Sequence, residues 1–573
     1  MRTLLILLLL AVRLGGAQAA AEYSFENDHE FDNGSRIALG SLAPVQVENL
    51  ALLGKVWGFL KYHHPVVASG QRHWDYELLR VAPRIVAAPD RAAADAVLRE
   101  WIASLGPVAD CNPCASLPSS GLHLRPELEW LDDATLLSAQ LRADLKKIHL
   151  NRPAAASQFY VSHRENIRNP VFLHEPAYRD VKFPDAGFQL LALFRFWNIV
   201  EYWSPYRDVI GEKWDDALRQ SIAKVALAKD RAGFELEMVA LTARVNDTHT
   251  SLRGTLQVRP PVGMCNLPVT MRFIGGKAVV SGYTEEAAGK ATGLQAGDIV
   301  EALDQVPVAR LTRDWAPYYA ASNEPTRLRD IARGMGSGAC GDVALRIRRA
   351  GQEQQVGTKR TPLLVMGKPR THDRDGETFQ MLASDIAYLK LSSVRKADIP
   401  RYLEAAAGTR GLVIDIRNYP SEFVVFALGQ HLVDKPTEFV RVTAGHASNP
   451  GAFHWRPTLA LRPQAPHYPG KVMLLVDELS QSQAEYTAMA FRAAPRAKVI
   501  GSTTAAADGN VSEIPLPGGL RSMISGIGIF YPDKRPTQRV GILPDIEVLP
   551  TVQGIQAGRD EVLEAAIAEI RRD

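Results

Sequence analysis

The residues best suited to covalent chemistry stand in one stretch, Val476-Asp477-Glu478-Leu479-Ser480-Gln481-Ser482-Gln483-Ala484-Glu485. The apolar run Lys471 to Val476 reads as a buried strand, and Ala484 to Ala493 reads as a helix that begins almost at once. A serine at such a junction sits where backbone N–H groups are unpaired and the helix dipole is positive. Both features stabilise an oxyanion formed when Ser482 Oγ attacks a carbonyl carbon, with the Gln483 N–H as one donor. The spacing Ser482-x-x-Glu485 is equally that of a capping box, a structural use of the same residues. Other reactive types have plainer readings. His63-His64 has no third ligand at metal spacing, and no H-E-x-x-H occurs. The four cysteines, Cys111, Cys114, Cys265 and Cys340, allow three pairings. The simplest joins Cys111 to Cys114 and Cys265 to Cys340. Cys-Asn-Pro-Cys without a strand-then-helix flank reads as a staple rather than a redox site.

The elements that must position this chemistry divide the chain. Trp57, Tyr62, Pro65, Trp74, Asp75, Asp90 and Arg91 recur 140 residues later as Trp197, Tyr202, Pro205, Trp214, Asp215, Asp230 and Arg231. Apolar residues at helical spacing around both sets predict related helical units over 46–115 and 186–256, joined by a polar stretch with one helix near Asp132 to His149. From about Pro260 short strands take over. Gly293-Leu294-Gln295-Ala296-Gly297-Asp298-Ile299-Val300 resembles the core of a PDZ domain, so 258–362 is expected to be a PDZ-like β module that takes an extended peptide. From Ala387 strands and helices alternate, through Ala387–Leu391, Gly411–Ile416, Lys471–Val476 and Lys498–Ile500, to a last helix Arg559–Arg571. This predicts an α/β domain over 375–573. The fold class expected is therefore multidomain: an α-helical repeat region, the PDZ-like module, and an α/β C-terminal domain, which resembles the crotonase-like or ClpP-like catalytic type.

Composition narrows the function further. The 573 residues are 46% hydrophobic and 23% charged, with a net charge of +3, which fits folded domains and leaves no basic footprint for nucleic acid. Arg2, the apolar run Leu4 to Val12 and Ala17-Gln18-Ala19 read as a signal peptide over 1–19. Nine apolar residues are too few to span ~30 Å of hydrocarbon. The mature protein is expected to be exported, periplasmic or secreted, without stable membrane insertion, in a compartment where disulfides persist.

Several segments together resemble the C-terminal-processing, or tail-specific, serine peptidase family over about residues 240 to 573. Ser482 stands three residues before Glu485, as that family's nucleophile does. Asp415-Ile416-Arg417 resembles its Asp-Leu-Arg strand end, and Gly541-Ile542-Leu543-Pro544-Asp545 resembles its Gly-x-x-Pro-Asp turn. The resemblance implies a serine endopeptidase acting on polypeptides without metal or cofactor. It also exposes departures. The family's dyad lysine lies 25 residues after the serine, where this chain has Ala507; Lys498 falls inside a strand, and Lys534 lies far beyond. The branch resembling the tricorn protease core uses a histidine after a small hydroxyl residue, matched by Thr248-His249. The resemblance thus implies His249 as base with Thr248 in support. The first repeat has Ala109 at the equivalent of His249, so packing of the repeat does not require the histidine. Where that branch has a glutamate, this chain has Gln538, which cannot balance an imidazolium. The family's glycine-rich oxyanion segment is here Asn418-Tyr419-Pro420-Ser421, and Pro420 has no N–H to give. These losses leave a second expectation, a peptide-binding scaffold of the same fold with impaired catalysis.

Overall fold

The computed structural model describes residues 24–572, apart from 182, 254–257, 363–371 and 373. The leader read over 1–19 lies outside the described residues. Helices fill the N-terminal half. Pro44–His63, Trp74–Ala87 and Arg91–Ser104 form one group; Ala186–Trp203, Trp214–Ala226 and Arg231–Ala243 form another. The recurring aspartates start helices: Asp90 Oδ1 accepts from Ala93 N, and Asp230 Oδ1 from Gly233 N, each at 2.8 Å. The recurring tryptophans satisfy one another. Trp57 Nε1 donates to Trp74 O at 3.0 Å and Trp74 Nε1 to Trp57 O at 2.9 Å; Trp197 and Trp214 exchange the same bonds at 2.8 and 3.0 Å. A buried indole needs such an acceptor.

The two long helices cross where the first has no side chains. A Cβ on Gly58 would lie 1.7 Å from Asn198 Oδ1, and Asn198 Nδ2 donates to Gly54 O at 2.9 Å. Beside the crossing lies a buried, balanced charge network. Lys61 pairs with Glu175 at 2.6 Å, and Arg195 pairs with Glu175 at 2.8 Å and Asp75 at 2.5 Å.

The central residues form an antiparallel sheet in the order Cys265–Asn266, Gln352–Pro362, Gly341–Arg349, Ile299–Leu303, Lys277–Tyr283, Val269–Ile274. The turn before Ile299 is built as its sequence suggests. Gly297 has φ 91°, and the Asp298 carboxylate accepts from Gln295 N at 2.8 Å and Arg349 Nη2 at 2.6 Å. Helix Glu324–Met335 packs on the edge strand Val269–Ile274. Disulfides join Cys111 to Cys114 and Cys265 to Cys340, the simplest of the pairings.

The C-terminal residues build a sheet ordered Phe379–Ala383, Ile386–Lys390, Gly411–Asp415, Lys471–Val476, Ala497–Gly501, Ile546–Glu547. Its first pair is antiparallel and the rest parallel. Gly411–Asp415 is buried throughout, as the unbroken apolar run requires of a covered parallel strand. One element departs from the sequence reading. Leu122–Leu124, inside the polar stretch between the helical groups, is a strand that pairs with Phe453–Trp455. It joins a second sheet with Thr437–Gly445, Leu459–Leu461 and Gly528–Phe530. Ala447, Ile514, Leu516, Leu520 and Ile524 also pack into the helical core. Helical and C-terminal residues therefore share one apolar interior, although the sequence pattern separates them by more than a hundred residues.

Candidate active site

Strand Lys471–Val476 delivers the chain to a tight corner. Ser480 is consumed there: its Oγ donates to Ile416 O at 2.8 Å and accepts from Asp477 N at 3.2 Å. Ser482 follows with φ 56° and ψ −118°, immediately before helix Gln483–Arg492. A positive φ costs a non-glycine residue of order 1–3 kcal/mol and persists only where surroundings enforce it. Glu485 does most of that. Its buried carboxylate accepts from Ser482 N at 3.1 Å, Ala506 N at 2.8 Å, Ala507 N at 2.9 Å and Thr504 Oγ1 at 2.5 Å. Burial pushes this carboxyl up to about 7, against the pull of those bonds. Ser482 N also donates to Ala507 O at 2.9 Å. Only the glutamate half of the capping box forms: the Ser482 hydroxyl makes no cap bond. That hydroxyl instead meets the phenol of Tyr419.

Ser482 opens on a cavity of about 770 Å³. Gln483, Tyr486, Tyr419 and the turn Asp508-Gly509-Asn510 line it, with Phe423, Val442, Ile527 and Ile529 as apolar wall. The Gln483 N–H heads the helix and has no partner among the described residues. The chemistry available at Ser482 is thus a hydroxyl held by the Tyr419 phenol rather than by the helix, an N–H beside it with no partner among the described residues, and a largely apolar chamber.

His249 is buried, and it makes no hydrogen bond to Ser482. Its Nδ1 lies 3.0 Å from Ser525 Oγ, and Ser525 Oγ donates to Asp247 Oδ2 at 2.7 Å. The serine has one proton, already given to the carboxylate, so Nδ1–H must be the donor to Ser525. The neutral ring then carries its lone pair on Nε2, which has no partner among the described residues. Burial holds the imidazole below its usual 6.5, and the Asp247 carboxylate partly offsets this. Asp247 Oδ1 stands 3.6 Å from Nδ1 and accepts from His249 N at 2.9 Å.

Thr248 and Gln538 meet each other's surroundings rather than the imidazole. Thr248 Oγ1 lies 3.1 Å from Ser322 Oγ, and Gln538 Nε2 donates to that same hydroxyl at 3.2 Å. The carboxylate beside His249 is Asp247, which the Asp-x-His spacing carries and sequence reasoning passed over. Ser525 and Tyr419 were missed as site residues, because only tertiary contact brings them here, whereas Asp508-Gly509-Asn510 reads from sequence as a tight turn near the mouth of the cleft. Lys498 pairs with Glu569 at 2.6 Å, and Lys534 lies over the Trp455 ring at 5.3 Å. No cluster of metal-ligating side chains occurs among the described residues.

The central module grips the same corner. Arg272, on the edge strand, pairs with Glu478 at 2.7 Å and Asp477 at 3.1 Å. Arg329 donates to Glu478 O at 2.8 Å and Gln481 Oε1 at 3.1 Å, and Asn323 Nδ2 to Thr504 O at 2.8 Å.

Comparison with known proteins agrees with this arrangement. Residues 385–548, which hold the parallel sheet, Ser482 and Glu485, match Peptidase family S41. The chain is a serine peptidase. Over residues 385–548 the chain is similar to the peptidases of family S41. Among solved structures, a Ser-to-Ala mutant of CPAF matches with TM-score 0.54 and 14% identity, covering 68% of this chain and 98% of that one. Mature CPAF complexed with lactacystin matches with TM-score 0.51 and 13% identity, covering 67% of this chain and 98% of that one. These likenesses are of fold. No curated protein sequence matches the chain.

Proposed function

We propose that the chain is an exported endopeptidase in which Ser482 is the nucleophile and His249 the base. One observation carries the reading: Ser482 is forced to φ 56° at the head of a helix, with its hydroxyl uncommitted to the helix and open to the cavity. Ser482 Oγ bonds to the scissile carbonyl carbon while its proton passes to His249 Nε2. The C–N bond then breaks and the proton leaves with the amine. Asp247, through Ser525, keeps the proton on Nδ1 and balances the imidazolium. The Gln483 N–H holds the oxyanion. Ser482 and His249 come into contact when substrate closes the site, since catalytic hydrogen bonds often tighten only in the complex.

Export rests on the leader in 1–19 and on the two disulfides. The central module reads as PDZ-like. Its edge strand Val269–Ile274 carries Arg272 to Glu478, so a peptide added to that edge lies close to the corner that presents Ser482. The paired helical groups read as a duplicated unit, supported by their matching indole bonds.

The scaffold reading is favoured by one fact, the missing Ser482–His249 bond. A serine-reactive phosphonate separates the two. Labelling confined to Ser482, and loss of peptide hydrolysis in Ser482→Ala without loss of stability, is the expected result. Ser482→Gly is expected to be inactive yet more stable by about 1 kcal/mol, because glycine tolerates the positive φ. An unlabelled, inactive wild type would leave only the scaffold.

A further inference from the structure

Asp508 is a buried carboxyl with an unused oxygen. It lines the cavity together with Ser482, Gln483 and Tyr419. Its Oδ1 accepts from Gly509 N at 2.7 Å, while Oδ2 is buried with no hydrogen-bond partner. No cation pairs with it among the described residues. Arg456, which lines the same cavity, donates to Asn166 O at 3.3 Å instead. A buried carboxylate with no cation is too costly to keep, and such a group neutralises by holding its proton. A neutral carboxyl is a donor, and this one has no acceptor among the described residues.

The segment after Asp415-Ile416-Arg417 is where the family resemblance implies a further oxyanion donor. Pro420 has no N–H, so the segment after Asp415-Ile416-Arg417 is poorer in backbone donors than a glycine-rich one. We propose that the Asp508 carboxyl group supplies the second hydrogen bond to the oxyanion, opposite the Gln483 N–H. This rests on the reading of Ser482 as nucleophile. Asp508 forms no covalent bond and returns its proton to no one: Oδ2–H donates to the developing oxyanion and remains a carboxylic acid throughout.

The groups facing Asp508 give the pH dependence its sign. Glu485 comes from the helix Gln483–Arg492, Tyr486 from the same helix, Tyr419 from the loop after Gly411–Asp415, and Tyr206 from the helical half. Asp247 and His249 lie beyond the backbone bond Gly526 N to Asn510 O. Burial first, and then the Glu485 charge, raise Asp508 well above the usual carboxylate range, against the Gly509 N–H. Activity therefore falls as pH rises and the donor ionises.

The test compares Asp508→Asn and Asp508→Ala in the full chain, with a peptide reporter from pH 5 to 10 and phosphonate labelling in parallel. Asn keeps a donor that cannot ionise. It is expected to hold kcat within about tenfold and to lose the fall at high pH. Ala is expected to lower kcat by about 10²–10³, the usual cost of one oxyanion donor, with little change in KM. Asp508→Val, closer in volume, is expected to show the same loss and replaces Ala if that variant does not fold. Wild-type kcat in Ala or Val overturns the proposal. So does an Asn variant as inactive as Ala, which would make the carboxyl a base, or one that retains the high-pH fall. If wild-type Ser482 is labelled and these outcomes still occur, only the role of Asp508 fails. If wild-type Ser482 is not labelled, the nucleophile reading itself has failed.

Discussion

Under the proposed mechanism, His249 is a base prepared by its neighbours. The Ser525 hydroxyl is committed to Asp247, so the imidazole proton is pinned to Nδ1 and the lone pair to Nε2. Burial lowers its pKa and Asp247 partly offsets this, so the ring stays neutral to a lower pH than a solvated histidine. The kcat/KM profile should accordingly climb at pH values below 6.5 and stay level through neutrality. His249→Ala should remove that rise and cost about 10²–10⁴ in rate. Ser525→Ala frees the tautomer and should cost less. If His249→Ala kept both rate and profile in a steady-state assay, the base would have to come from elsewhere. Ser480, two residues before Ser482, has no such freedom, since both its hydrogen-bonding roles are filled.

Among elements, the crossing of the two long helices is the tightest contact. An ordinary helical glycine replaced by alanine gains about 1 kcal/mol in propensity. At Gly58 the added methyl would meet Asn198 Oδ1 at 1.7 Å, on a side chain fixed by bonds to Gly54 O and Phe194 O. Overpacking of about 1–3 kcal/mol outweighs the propensity gain, so Gly58→Ala should lower stability in thermal or urea unfolding. Elements of this kind were legible in the sequence because their signals are local. The recurring tryptophans and aspartates placed the helices, and unbroken apolar runs placed the parallel strands. The junction before Ser482 followed from a strand meeting a helix. Leu122–Leu124 was not legible: three residues in a polar stretch carry no period, and their partner lies more than three hundred residues away. The turn holding Asp508 was legible, but its unpaired oxygen was not, since a missing partner is a property of three-dimensional surroundings. The capping-box spacing was informative for Glu485, which bonds back to Ser482 N, while the Ser482 hydroxyl makes no cap bond.

At the scale of the whole molecule, the catalytic sheet does not close its own interior. Ile514, Leu516, Leu520 and Ile524 are buried against the helical core, and Phe453–Trp455 borrows a strand from residues 122–124. Residues 375–573 expressed alone should therefore show no cooperative thermal transition and should bind a hydrophobic dye, whereas the full chain should melt cooperatively. A sharp, reversible melt of the fragment would mean that the shared interior is dispensable. The grip of Arg272, Arg329 and Asn323 on the corner around Ser482 extends the same dependence to the central module. Under the proposed mechanism this scattering is a safety catch. A ribosome makes His249 hundreds of residues before Ser482, and the turn that bends Ser482 into shape comes later still. The half-made chain is therefore unarmed among its neighbours, and a copy torn apart between the two loses its edge with the same stroke.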